Sequence, residues 1–172
     1  MLRVSTLALE SPLSIDLGVE ATMYHTVVKR IALQNFLRIN QKDYGPVLEG
    51  CASNVHHHFG GHHALGGERN GREGLRLWFE RLGRLMPTLW LTVHDVWVKG
   101  WPWDTTVVLR WSAVQDLPDR SPYNNHGVHI IRMRWGKVFD IDANEDSQLV
   151  ADSLKILAAY GAPEALADPI LS

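Results

Sequence analysis

The chain has 172 residues, with Lys+Arg 17 against Asp+Glu 19 and a formal net charge of −2. That length suits one domain with a real core, and the near-neutral balance gives no electrostatic basis for nucleic acid or an anionic membrane as partner. No apolar run approaches the roughly 20 residues that span a bilayer, and Cys51 is the only cysteine, which excludes an internal disulfide and points to a reducing cytoplasm.

The opening stretch, MLRVSTLALESPLSIDLG, carries one Arg and apolar residues interrupted by Pro12 and Asp16. It lacks the compact apolar block of a secretory signal and reads as a flexible arm or weak leader over 1–19. Residues 20 to 40 read as a helix with Met23, Val27, Val28 and Ile31 on one face. A short helix is expected over Tyr44 to Ala52, with Pro46 in its first turn. NVHHHF then reads as a short strand. The next helix is the clearest element: Asn70 and Glu73 stand as a capping-box pair. Leu75, Trp78, Phe79, Leu82 and Leu85 follow at helical spacing, and Pro87 ends the run.

Beyond Pro87 the apolar period changes to two. TLWLTVHDVWVKG and TTVVLRWSAVQD read as strands joined by a GWPWD turn, and LPDRSPYNN as a longer turn. GVHIIRMRW and KVFDIDAN are two more strands meeting tightly at Gly136. A last helix is expected from Ser147 to Tyr160, with Val150, Leu154, Leu157 and Ala158 inward and Gly161 at its C′ position. The tail, 162–172, is expected to pack loosely. Strands joined by short turns give a mostly antiparallel sheet, and helices on one face of it make an α+β layer.

Five of the nine histidines fall in NVHHHFGGHHALGGERNGRE. A metal centre needs several ligands converging on one point. His56 and His58 share one strand face while His57 points the other way, and His62 and His63 lie beyond a Gly-Gly pair. No H-E-x-x-H spacing occurs, so no metal site is assigned. By alternation His57 shares a face with Val55 and Phe59 and is a candidate pocket-lining residue. The alternative is a satisfied core histidine. The seven tryptophans suit either a sheet core or a cavity walled by flat rings.

A two-residue loop at Gly136 puts His129 and Asp142 on one face. With Trp135–Gly136 as that loop they stand directly opposite. The face then carries His129, Ile131 and Met133 against Asp140, Asp142 and Asn144. A His129–Asp142 pair is a reasonable proton-transfer unit, the carboxylate orienting the imidazole; a wet cross-strand pair is the alternative. His94, Trp103, Tyr123 and Asn125 are further pocket candidates, the last two as hydrogen-bond donors to a substrate oxyanion, although PYNN is equally a turn.

The ordered set GGHHALGGERNGREGLRLWFERLGRLMP, HDVWVKGWPWDT, PYNNHGVHIIRMRWGKVFDID and NEDSQLVADSLKILAAYG resembles the nuclear transport factor 2-like superfamily, in its SnoaL-like and ketosteroid-isomerase-like branch. The resemblance covers roughly residues 22 to 160. It implies a cone domain, here 20–161, whose curved sheet wraps an internal pocket, and commonly a homodimer through the sheet. It also implies an apolar small-molecule ligand and, in catalytic members, cofactor-independent proton transfer in isomerisation, cyclisation or dehydration. Other members only bind, so a non-catalytic pocket protein is the second expectation. Asp146 matches the acidic residue that ends the last strand in the superfamily, though before SQLVADSLK it is also a good helix N-cap. Relatives often carry a His and an aromatic near 142 and 144, where this chain has Asp142 and Asn144.

Overall fold

A computed structural model describes residues 17–172. The expected arm falls mostly outside them. Helix α1 (Leu17–Asn40) and the short α2 (Tyr44–Glu49) precede strand β1 (Cys51–Phe59). Strand β2 (Gly67–Asn70) leads directly into α3 (Gly71–Leu85). Four strands follow: β3 (Trp90–Trp101), β4 (Asp104–Asp116), β5 (Pro122–Arg134) and β6 (Lys137–Glu145). Helix α4 (Ser147–Ala159) and a 3₁₀ turn (Pro163–Leu166) complete the order. The fold is α+β, with one curved, open six-stranded sheet in the order β2-β1-β6-β5-β4-β3. All pairings are antiparallel except β1 with β6, which is parallel. Among the described residues no helix is long and apolar enough to cross a membrane.

Helix α3 forms because its apolar residues recur every three or four positions. Leu75, Trp78, Phe79, Leu82 and Leu85 are buried, each such side chain contributing roughly 1.5–3 kcal/mol. Its outer face is held by Arg76, which pairs with Glu73 and Glu80 one turn away on either side. The capping box does not form: Asn70 is the N-cap without a capping bond, and its Nδ2 donates to the Ser172 carbonyl at 2.6 Å instead. Strand β4 alternates as a half-buried strand should, with Thr105, Val107, Leu109, Trp111, Ala113 and Gln115 inward.

Three further expectations are corrected. On α1 the inward line is Tyr24, Val28, Ala32, Phe36 and Ile39, whereas Met23, Val27 and Ile31 are exposed. Two apolar lines one position apart compete on this helix, and packing against β3 selects the first. Strand β5 begins at Pro122 rather than Gly127, so Tyr123 and Asn125 are strand residues, not turn residues. The tail is tied down. Arg69 Nε donates to the Ile170 carbonyl at 3.1 Å, Arg81 to the Asp168 carbonyl at 2.8 Å, and Asn70 holds Ser172 from both sides.

Candidate active site

The β5–β6 hairpin decides which side chains enter the interior. Its loop is Trp135–Gly136, both residues with positive φ (49° and 75°), as a tight primed turn requires. Arg134 faces Lys137 and Met133 faces Val138, but Arg132 then faces Asp140. Phe139 is the extra residue of a β-bulge, and beyond it the parity of β6 is reversed. The Phe139 ring lies beneath the guanidinium groups of Arg132 (5.2 Å) and Arg134 (4.7 Å) on the outer face, contacts that favour this arrangement. His129 therefore opposes Ala143, and Asp142 opposes Ile130.

The expected His129–Asp142 pair is thus not formed, because the bulge turns Asp142 outward. There it accepts from His58 Nδ1 at 2.9 Å, while Asp140 bonds His56 Nδ1 at 2.8 Å. The hydrogen bond from His58 holds the Asp142 carboxyl below its usual range. The same reversal brings Glu145 inward, a residue that strand parity without a bulge places on the other side.

Between sheet and helices lies a cavity of ≈ 130 Å³ with mostly apolar walls, among them Phe36, Phe59, Trp78, Leu82 and Met86. Its polar lining is His57, Tyr123, Asn125, His129 and Glu145, with Trp111 and Asn35. His129 packs edge-on to Trp111 (5.3 Å between centroids) and tilted on Phe36 (5.6 Å). Burial pushes its pKa down to about 4, so the ring is neutral, and Nε2 is buried without a hydrogen-bond partner among the described residues. Both carboxyl oxygens of Glu145 are likewise buried without a well-formed partner. Burial pushes its pKa up to about 8; the Gly60 amide opposes that rise and the Asp142 charge adds to it. An acid with little but apolar surroundings keeps its proton at neutral pH.

Trp111, Gly127 and Glu145 form one transverse row across β4, β5 and β6. Gly127 is what lets that row close. A Cβ there would meet Trp111 Cζ2 at 2.6 Å and the Asn144 carbonyl oxygen at 2.4 Å. The Trp111 indole N–H is also buried and unpartnered among the described residues.

Asn125 anchors one end of the cavity. Its Oδ1 accepts from the Asp146 amide (3.2 Å) and its Nδ2 donates to the Asp146 carbonyl (3.3 Å) and to Tyr123 Oη (3.1 Å). The Tyr123 hydroxyl thus accepts from Asn125 and keeps its own proton to donate, and burial raises its pKa. His57 is 3 % exposed and accepts at Nδ1 from buried Arg69 at 3.0 Å. Burial first, and the Arg69 charge next, hold its pKa well below the ordinary histidine value.

The remaining expected residues lie elsewhere. His94 is on the exposed face of β3, bonded to Ser112 Oγ at 2.8 Å. Trp103 is 54 % exposed at the β3–β4 turn and stacks on Trp101 (5.8 Å, 5° between planes). Neither lines the cavity. Asp146 caps α4, its side chain accepting from Leu149 N at 3.1 Å. Among the described residues no group of three or more His, Cys, Asp or Glu side chains is placed to hold a metal ion. Glu145, Trp111 and Arg69 are the site residues that sequence reasoning missed. A carboxylate two residues beyond Ala143 is visible in NED, but the bulge that turns it inward leaves no local mark.

The sequence matches the family model for the SnoaL-like domain over residues 33–141. Among curated proteins none matches the sequence. Solved structures share the fold at low identity. One is TerC co-crystallised with polyporic acid, at 16% identity and TM-score 0.59, covering 72% of this chain and 95% of that one. An NTF2-like protein of unknown function from Burkholderia pseudomallei K96243 has 13% identity and TM-score 0.60, covering 75% and 95%. The epoxide hydrolase/cyclase-like enzyme SalBIII, described in pyran ring formation in the polyether salinomycin, has 17% identity and TM-score 0.57, covering 70% and 91%.

Proposed function

The chain belongs to the family of SnoaL-like domains, and on that premise we propose that it is a small-molecule enzyme performing acid/base proton transfer on an apolar, carbonyl-bearing substrate. The reaction class is isomerisation, cyclisation or dehydration. The carrying observation is Glu145: a buried, unpaired carboxyl with its pKa at about 8, inside a largely apolar cavity. A group poised near neutrality serves as acid in one step and base in the next.

In its ionised form Glu145 takes a proton from the carbon next to the carbonyl. The C–H electron pair becomes the carbon–carbon double bond, and the carbonyl π pair moves to oxygen. Neutral donors such as the Tyr123 hydroxyl stabilise that oxygen. The proton then returns to a different carbon, or to a departing hydroxyl. No cofactor is needed for this chemistry. His129, neutral and facing the same space, offers a second acceptor or donor.

The test is hydrogen–deuterium exchange of β-tetralone in deuterated water, followed by NMR. Wild type is expected to accelerate exchange, and E145Q to lose on the order of 10²–10⁴-fold of that acceleration. Exchange by wild type no faster than with no protein, or exchange by E145Q as fast as by wild type, overturns the catalytic part. The second reading, a non-catalytic protein for hydrophobic ligands, is favoured by the apolar walls. It predicts tight binding with no exchange by wild type.

We further propose a homodimer through the outer sheet face, where Trp97 and Ile130 are exposed with Val108 between them, and a cytoplasmic setting in keeping with the free Cys51 thiol.

A further inference from the structure

Arg69 is the largest fully buried side chain described, and among the described residues no carboxylate pairs with it. Its Nη2 donates to the Gly66 and Gly67 carbonyls, both at 2.6 Å, its Nε to the Ile170 carbonyl at 3.1 Å, and its Nη1 to His57 Nδ1 at 3.0 Å. The guanidinium also lies 5.6 Å from the Trp78 ring centre, and the same indole meets the His57 ring edge-on at 4.6 Å. A buried cation held by backbone carbonyls and one imidazole is a costly arrangement to keep without a use.

A guanidinium has only donors. His57 Nδ1 must then be the acceptor, and a neutral imidazole that accepts at Nδ1 carries its proton on Nε2. A protonated ring would set N–H against N–H beside a second positive charge. His57 lines the cavity, and its one side-chain hydrogen bond among the described residues is the one it accepts from Arg69 at Nδ1. With Nδ1 occupied, the only polar group that His57 offers a bound molecule is Nε2–H.

We propose that Arg69 is a positioning residue that fixes His57 as an Nε2–H donor into the cavity, where the imidazole receives a carbonyl oxygen of the bound molecule. The inference rests on the small-molecule reading above and deepens it by naming the oxygen-binding group. The guanidinium behind the ring withdraws electron density and makes Nε2–H a stronger donor to a developing oxyanion. The C-terminal segment takes part, since the Ile170 carbonyl completes the cradle around Arg69.

Two measurements test it. Imidazole-nitrogen NMR of the ligand-free protein is expected to show His57 as the Nε2–H tautomer in wild type, and a mixture of tautomers in R69M and in R69K. Infrared spectroscopy of bound, carbonyl-labelled β-tetralone is expected to show a lowered carbonyl stretch in wild type. That lowering should be lost in H57F, reduced in R69M, and partly kept in H57Q, whose amide can accept from Arg69 and still donate. H57F retains the three carbonyl contacts of Arg69 and serves if the Arg69 variants fail to fold. An Nδ1–H tautomer in wild type, or a carbonyl stretch unchanged in H57F, overturns the proposal. Exchange activity surviving in E145Q removes the catalytic role of Glu145 while leaving the carbonyl shift in place. Failure of β-tetralone to enter any variant overturns the small-molecule reading, and the tautomer then still decides the part played by Arg69.

Discussion

His129 and Glu145 are diagonal neighbours across the β5–β6 ladder, both on the cavity side. Burial moves their protonation in opposite directions, His129 down to about 4 and Glu145 up to about 8. At neutral pH the pair is largely uncharged, so the cavity stays compatible with an apolar molecule.

This pair sets how stability responds to pH. Glu145 holds its proton in the folded state and loses it in the unfolded state above about 4.5, so its contribution falls as pH rises toward 8. His129 is neutral when folded and protonated when unfolded below 6.5, so its contribution rises from pH 4 to 6.5. The two slopes oppose one another at acidic pH, and above 6.5 only that of Glu145 remains. Wild-type Tm is expected to fall between pH 6.5 and 8, and thermal melts of E145Q should fall less across that window, the remaining slope being that of His56, whose hydrogen bond to Asp140 raises its pKa. A wild-type Tm that holds level there contradicts the burial of an unpaired carboxyl.

Gly127 is the point where Trp111 closes over the sheet. Because an added Cβ would meet Trp111 at 2.6 Å and backbone on β6 at 2.4 Å, G127V should destabilise by roughly 1–3 kcal/mol or more. It should also change the tryptophan fluorescence, as the ring is pushed from its place. Denaturant melts with wild-type midpoint and spectrum would disprove the close approach.

Asn125 joins Tyr123 to the start of α4 through the Asp146 backbone. N125A strips buried groups of their partners and is expected to cost about 1–3 kcal/mol. N125D keeps the acceptor for the Asp146 amide but loses the donors, so it should fall between N125A and wild type in a urea melt. Equal midpoints for all three proteins would mean that this network carries no stability.

Asp142 is a surface partner of His58, not a cavity group. D142N is therefore expected to leave β-tetralone exchange within about twofold of wild type and to cost at most about 1 kcal/mol, as exposed pairs do. An exchange rate for D142N as low as that of E145Q would return Asp142 to the catalytic site.

Much of the molecule is legible in the order of its amino acids. The 3.6-residue spacing through Leu75 to Leu85 named α3 and its buried face, and the alternation in TTVVLRWSAVQD named β4. Placing His57 on the face of Val55 and Phe59 follows from the same period of two. The capping box failed for a tertiary reason: the Asn70 side chain serves Ser172, about a hundred residues away in sequence. The loose tail failed for the same reason, since Arg69 and Arg81 reach it from β2 and α3.

The sequence by itself determined the order of the elements, the apolar faces of α3 and β4, and the family resemblance, because these depend on periodicities within a few residues. Only the tertiary structure decided which carboxylate faces the cavity. One extra residue, Phe139, exchanged Asp142 for Glu145, and pairing with β5 and contact with two arginines hold it there. Only the tertiary structure brought Arg69 behind His57 as well, since β2 is four residues long, too short for its period to be read, and its pairing with β1 sets Arg69 opposite His57. Side-chain parity is local, but the register that sets its starting point is fixed by strands far apart in the chain.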